Sequence, residues 1–81
     1  MEVTEATFPT AVLERSKTVP VIVDFWAEWC GPCRQLGPVI ERGVAARAGQ
    51  VELAKVDTDA NPELSRTYRI QSIPAVKAFK D

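Results

Sequence analysis

Eighty-one residues, 46% of them apolar and 26% charged, provide for one small domain with a single modest core, and exclude both a two-domain chain and a disordered one. Ten basic against eleven acidic residues leave a net charge of −1 with no Lys/Arg cluster, which argues against a nucleic-acid partner. The longest apolar stretch, Val19–Val23, is far too short to span a bilayer, and Met-Glu-Val-Thr-Glu lacks the regions of a signal peptide, so the expectation is a soluble, cytoplasmic chain with no membrane partner.

Thr7-Phe8-Pro9 predicts a short helix with Thr7 as cap, Pro9 in the first turn, and Phe8, Val12 and Leu13 on one face; Ser16-Lys17-Thr18 closes it. Val19-Pro20-Val21-Ile22-Val23-Asp24-Phe25-Trp26-Ala27 is β-branched and aromatic without polar alternation, as in a strand covered on both faces of a parallel sheet. Pro20 stands at its start, where a missing donor is tolerated. Glu28 to Cys33 reads as a turn into a helix, with Pro32 near the first helical position. Leu36, Ile40 and Val44 mark the buried stripe of that helix. Pro38 lies inside it and predicts a kink near Arg34, and Gly49 is its expected C-terminal cap.

Val51–Asp57 reads as a second strand. Asn61 caps another short helix with Pro62 at its first position, and Leu64 and Tyr68 share a face. Ile70-Gln71-Ser72-Ile73-Pro74 then leads into a last strand, Ala75–Phe79. Strands alternating with helices predict an α/β three-layer sandwich of parallel strands joined by right-handed helical crossovers.

The chain has two cysteines and no histidine. Histidine-based acid–base, triad and haem-ligand chemistry are excluded, and Cys30 and Cys33 supply only two of the four ligands a zinc site usually needs; no metal or cofactor is implied. Thiol chemistry remains. A thiolate at a helix N-terminus is stabilised by unpaired N–H groups, so its pKa falls. Gly31 allows a tight turn, Pro32 fixes the entry geometry, and a thiol three positions further on lies about one turn away, so the pair can cycle between dithiol and disulfide. The alternative is a structural staple. Closing so short a loop contributes roughly 2 kcal/mol, against about 3 kcal/mol for a fifteen-residue loop. A metal-bridged dimer through two such pairs is a third reading.

Val23-Asp24-Phe25-Trp26-Ala27-Glu28-Trp29-Cys30-Gly31-Pro32-Cys33 resembles the active-site segment of the thioredoxin family, in keeping with C-x-x-C beside a βαβ pattern. Pro38, Ala54-Lys55-Val56-Asp57 with Asn61-Pro62, and Ile73-Pro74 match in order and spacing, so the resemblance covers nearly the whole chain. It implies a thioredoxin-like fold and a thiol–disulfide oxidoreductase that reduces protein disulfides. Cys30 takes the role of the exposed nucleophile and Cys33 that of the buried resolving thiol. Asp24, a carboxylate in an apolar strand, takes the role of proton acceptor for Cys33; the alternative is that it faces solvent near the strand end. Lys55 matches a lysine near that aspartate and tunes it, or is a simple surface lysine. Trp29 is expected at the surface and Trp26 in the core. Gly31 and Pro32 match the family's redox-tuning dipeptide. With Trp29, Ile73 and Pro74 they are assigned to the substrate-binding rim. Residues alone predict a trans Ile73–Pro74 bond; the resemblance implies a cis one beside the cysteines, with the Ile73 backbone pairing with a bound peptide. Implied partners are disulfide-containing proteins and a thioredoxin reductase.

Thioredoxins usually continue past this point with another strand and a C-terminal helix, so the resemblance implies an incomplete domain over residues 1–81, with self-association or strand exchange expected through the Ala75–Phe79 edge. Val76–Asp81 looks more like the thioredoxin-like modules joined to tetratricopeptide repeats. The competing function is therefore a peptide-binding co-chaperone module in which redox turnover is secondary, and a third reading is a fragment with no activity of its own.

Overall fold

The computed structural model describes residues 1–80; Asp81, the last position of the Val76–Asp81 pattern, lies outside the described residues. The apolar run forms β1 (Val21–Trp26), the central strand of a sheet in which β2 (Glu52–Asp57) lies on one side and β3 (Ala75–Phe79) on the other. Val21, Val23 and Phe25 point to one face and are completely buried. They pack with Ala54 and Val56 of β2 beneath Phe8 and Val12 of the N-terminal helical segment and Leu64 of α2 (Pro62–Thr67). The opposite face of the sheet carries Ile22, Asp24 and Trp26 and is overlaid by α1 (Gly31–Ala45). The three expected layers are present, built as helix, sheet, helix.

The sheet is mixed, which corrects the all-parallel expectation. β1 and β2 are parallel, with Val21 opposite Glu52 and Trp26 opposite Asp57, whereas β3 runs antiparallel to β1, with Val21 opposite Phe79. Helix length accounts for the difference. α1 has fifteen residues and spans about 22 Å, enough to return the chain along a six-residue strand of about 20 Å. α2 has six residues and spans about 9 Å, so the chain re-enters the sheet from the end it has just left.

The helix boundaries depart from expectation where other groups do the capping. The first helix is a π-helical stretch, Pro9–Glu14, followed by a 3-10 turn, Arg15–Lys17, and Thr7 is not its cap. Its first turn begins at Thr4, which accepts from the Phe8 amide at 2.8 Å, while the Thr4 and Thr7 hydroxyls take the Thr7 and Thr4 amides at 3.3 and 2.9 Å. Phe8 and Val12 face the core; Leu13 does not, and is exposed. Asn61 stands at the start of α2 without capping it through its side chain. Its Oδ1 accepts from the Glu5 amide at 2.9 Å and its Nδ2 donates to the Asp57 carbonyl at 3.1 Å. The Glu5 carboxylate caps α2 instead, accepting from the Glu63 amide at 2.6 Å, where the helix dipole favours an anion. Helix α1 runs unbroken through Pro38 and ends at Ala45; Gly49, with φ +81°, turns the chain four residues beyond. Leu36, Ile40 and Val44, expected as the buried stripe, are only half-buried, and Ile40 and Val44 share an apolar groove with Ile22 of β1 and Val76 of β3.

Three aromatic rings close the core against β3. Phe8, Tyr68 and Phe79 lie within 5.2–5.7 Å of one another, centroid to centroid, and Phe79 meets both partners edge-on. Met1–Val3 runs beside β2: the Val3 amide donates to the Lys55 carbonyl at 2.8 Å and the Lys55 amide to the Met1 carbonyl at 2.7 Å. β3 forms the other border of the described sheet, with Val76, Lys77 and Ala78 exposed. Among the described residues no helix is long and apolar enough to cross a membrane.

Arg69 carries the sharpest local conflict. It follows α2 with φ +56°, and the Ile70 amide closes the motif on the Ser65 carbonyl at 2.8 Å. This left-handed closing position normally belongs to glycine. Arg69→Gly is expected to stabilise the chain by up to about 1 kcal/mol, less the added freedom of the unfolded state, read as a rise in urea midpoint at unchanged m-value.

Candidate active site around the Cys30–Cys33 disulfide

Cys30 is the N-cap of α1, in extended backbone geometry (φ −86°, ψ 100°), and its Sγ accepts from the Cys33 amide at 3.2 Å. Pro32 sits in the first turn, where it has no donor to lose. One helical turn separates the two cysteines, their Cα atoms are 5.3 Å apart, and they are joined as a disulfide. The bond therefore lies at the positive end of α1. Both cysteines pack with Ala27, Trp26 and Ile73.

The exposed Cys30 implied by the resemblance is not what this disulfide form presents. Cys30 is 3% exposed and Cys33 7%, because Ala27 lies beneath them and Ile73 beside them. The Ile73–Pro74 bond is cis, as the resemblance implies and against the expectation from residues alone. Trp29 is exposed beside Cys30 and its indole N–H donates to Asp59 Oδ2 at 2.9 Å. Between Trp29 and Ile73 runs a groove of about 240 Å³, bordered also by Pro62, Ile70 and Ser72.

Asp24 lies behind the pair. It is 2% exposed, which excludes the solvent-facing alternative. It lines a cleft of about 370 Å³ beneath α1, shared with Trp26, Cys33, Gly37, Glu41 and Lys55. Burial raises its pKa above the usual carboxylate value; the nearby Lys55 charge opposes that rise, and the Glu41 and Glu2 charges reinforce it. Lys55 is half-buried. Its Nζ donates to Glu41 Oε2 at 3.0 Å and lies 5.4 Å from the Trp26 ring centroid. The Trp26 indole N–H is buried without an acceptor among the described residues. At the mouth of the cleft Arg34 donates to the Glu28 carbonyl at 2.6 Å.

The sequence reading missed Asp59 and Glu41. Asp59 has no local signal, since the β2–α2 turn brings it to Trp29 from thirty positions away. Glu41 had one: Cys33, Gly37 and Glu41 recur at intervals of four and so lie along one face of α1. Among the described residues no group of acidic or thiol side chains is placed to hold a metal ion.

A thioredoxin family model matches residues 1–81. The chain belongs to the thioredoxin family. It is 48% identical over 81 residues to a thioredoxin of Mycobacterium bovis, covering all of this chain and 68% of that protein. It is 51% identical over 79 residues to thioredoxin 1 of Synechococcus elongatus, covering 98% of this chain and 72% of the relative. It also matches, at 45% identity over 80 residues, 17% of a bifunctional thioredoxin reductase/thioredoxin of Mycobacterium leprae. Membership makes the chain a thiol–disulfide oxidoreductase of the thioredoxin family, with Cys30–Cys33 as its redox disulfide.

The buried carboxylate sets a pH signature on stability. Folded Asp24 holds its proton more tightly than an unfolded Asp, so the associated stability is complete below the usual carboxylate range and is lost as pH rises through the raised folded value. Asp24→Asn is expected to raise the thermal midpoint at pH 7 to 8, by on the order of 1–3 kcal/mol of unfolding free energy, the range for a poorly compensated buried polar group. The gain should vanish below the usual carboxylate range, as a calorimetric pH series checks.

Proposed function

We propose that residues 1–81 work as one unit that reduces peptide-bound disulfides, with Cys30 as attacking thiolate and Cys33 as resolving thiol. The observation that carries this reading is the disulfide at the N-terminus of α1 with Cys33 lining the Asp24 cleft behind it. Cys30 thiolate attacks one sulfur of the substrate disulfide; a Cys30–substrate disulfide forms and the other substrate sulfur leaves as thiolate. Cys33 gives its proton to Asp24 through water in the cleft and attacks Cys30 Sγ. The Cys30–Cys33 disulfide forms, the second substrate sulfur leaves, and two electrons have passed to the substrate. A reductase then returns two electrons to the disulfide; the bifunctional relative supports a thioredoxin reductase for this step.

In this reading Trp29, Gly31, Pro32, Ile73 and Pro74 form the substrate rim. The groove between Trp29 and Ile73 supports it, because an extended peptide laid there places its backbone beside Ile73. Lys55 adjusts the charge on Asp24. Electron transfer to protein disulfides, redox homeostasis and a cytoplasmic location belong to the same proposal, as a reducing compartment is where a dithiol reductant is kept supplied.

Cys30→Ser is expected to bring insulin-disulfide reduction by the full chain down to the uncatalysed rate. Cys33→Ser is expected to halt after the first exchange, leaving a mixed disulfide seen by mass spectrometry and released by dithiothreitol. Unchanged turnover in either variant removes the assignment. Peptide binding that survives Cys30→Ser while turnover proves negligible for every disulfide tried would instead favour the binding-module reading.

Self-association through the outer edge of β3 is part of the proposal, supported by the exposed Val76 and by the apolar groove of about 360 Å³ that it forms with Ile22, Ile40 and Val44. Sedimentation velocity is expected to show a coefficient that rises with protein concentration, and that rise should disappear when Val76 is replaced by Lys.

A further inference from the structure

Asp24 and Lys55 are register partners on adjacent parallel strands, so their side chains rise side by side from the same face of the sheet beneath α1. A lysine so placed is the natural counter-ion for a buried carboxylate. The ammonium goes elsewhere. Its hydrogen bond runs to Glu41 Oε2, and it rests against the Trp26 ring. The ammonium passes close to Gly37 of α1, where a Cβ built on the glycine would stand in ordinary van der Waals contact with Lys55 Nζ at 3.9 Å. Glu41 follows Gly37 by one turn of α1, and its side chain is half exposed at the cleft mouth.

We propose that Glu41 is a positioning residue that tethers the Lys55 ammonium under α1 and so leaves the Asp24 carboxylate without a close cation. The inference rests on, and deepens, the reading of Asp24 as the acceptor of the Cys33 proton. A carboxylate paired directly with Lys55 would be a weaker base towards a neighbouring thiol. The tether keeps the lysine near enough to moderate the charge and too far to neutralise it. The other charged groups around the cleft are Glu2 from the N-terminal segment and Glu28 and Arg34 at its mouth, where Arg34 is engaged by the Glu28 carbonyl.

The test reads the Asp24 carboxyl directly, by carbon-detected NMR titration of the oxidised full chain. Glu41→Ala is expected to lower the Asp24 midpoint, both by removing a negative charge and by freeing Lys55 to turn towards Asp24. The same change in a Lys55→Met background isolates the first effect, so less than half of the fall is expected there. Glu41→Asp should recover part of the tether and part of the native midpoint. An unmoved midpoint in Glu41→Ala overturns the proposal. So does a fall of equal size in both backgrounds, which would make Glu41 a distant charge only. A purely structural role for Glu41 would change the melting temperature and leave the titration where it was. The acceptor reading is tested separately, by the rate at which Asp24→Asn resolves a preformed mixed disulfide. An unchanged rate removes that role from Asp24 and leaves the tether standing.

Discussion

Covering β1 on both faces is the constraint from which the rest of the molecule follows. One face carries Val21, Val23 and Phe25, each completely buried, and they gather the N-terminal helical segment, α2 and the Phe8–Tyr68–Phe79 cluster. The other face must lie beneath α1, and there the strand presents Asp24 instead of another apolar residue. Because β1 runs straight into the turn before α1, the same packing that buries Asp24 also holds the start of α1, with its cysteine pair, at the end of the strand. In a chain of this size, with about 4–12 kcal/mol of net stability, a buried carboxylate is a substantial penalty.

The site brings together three kinds of influence on sulfur. The N-terminus of α1 supplies amide dipoles, since Cys30 is its cap and the Cys33 amide points at Cys30 Sγ. The Ile73–Pro74 loop supplies an apolar wall that leaves the disulfide little exposed. The cleft beneath α1 supplies a carboxylate whose proton affinity is raised by burial and moderated by a lysine held at a distance. Each comes from a different stretch of chain, and the sheet brings them into register: Asp24 beside Lys55 through the β1–β2 pairing, Ile73 beside Ala27 through the entry of β3.

Polar residues were the least legible at local range, because a side chain that can cap its own helix can equally serve another element. Asn61 has the residue type and position of an N-cap, yet its amide spans from Glu5 to the Asp57 carbonyl, and Glu5 caps α2 from 58 positions away. Thr7 yields the helix start to Thr4 because the pair can exchange hydroxyl and amide contacts. Arg69 holds a conformation suited to glycine, and the closing hydrogen bond of Ile70 to Ser65 sustains it.

Local pattern was enough for the order of elements, the buried central strand, the cysteine pair at the start of a helix and, through the resemblance to thioredoxins, the chemistry of that pair. These follow from local facts: β-branched runs, proline positions, four-residue spacing and an eleven-residue motif. Long-range packing set the rest: β3 runs antiparallel, Asp24 is enclosed, Cys30 is covered in the disulfide form and Glu41 takes the Lys55 ammonium. Those outcomes depend on distances between residues far apart in the chain: a helix too short to return along the sheet, a strand register, and a glutamate on α1 that meets a lysine on β2 across fourteen positions.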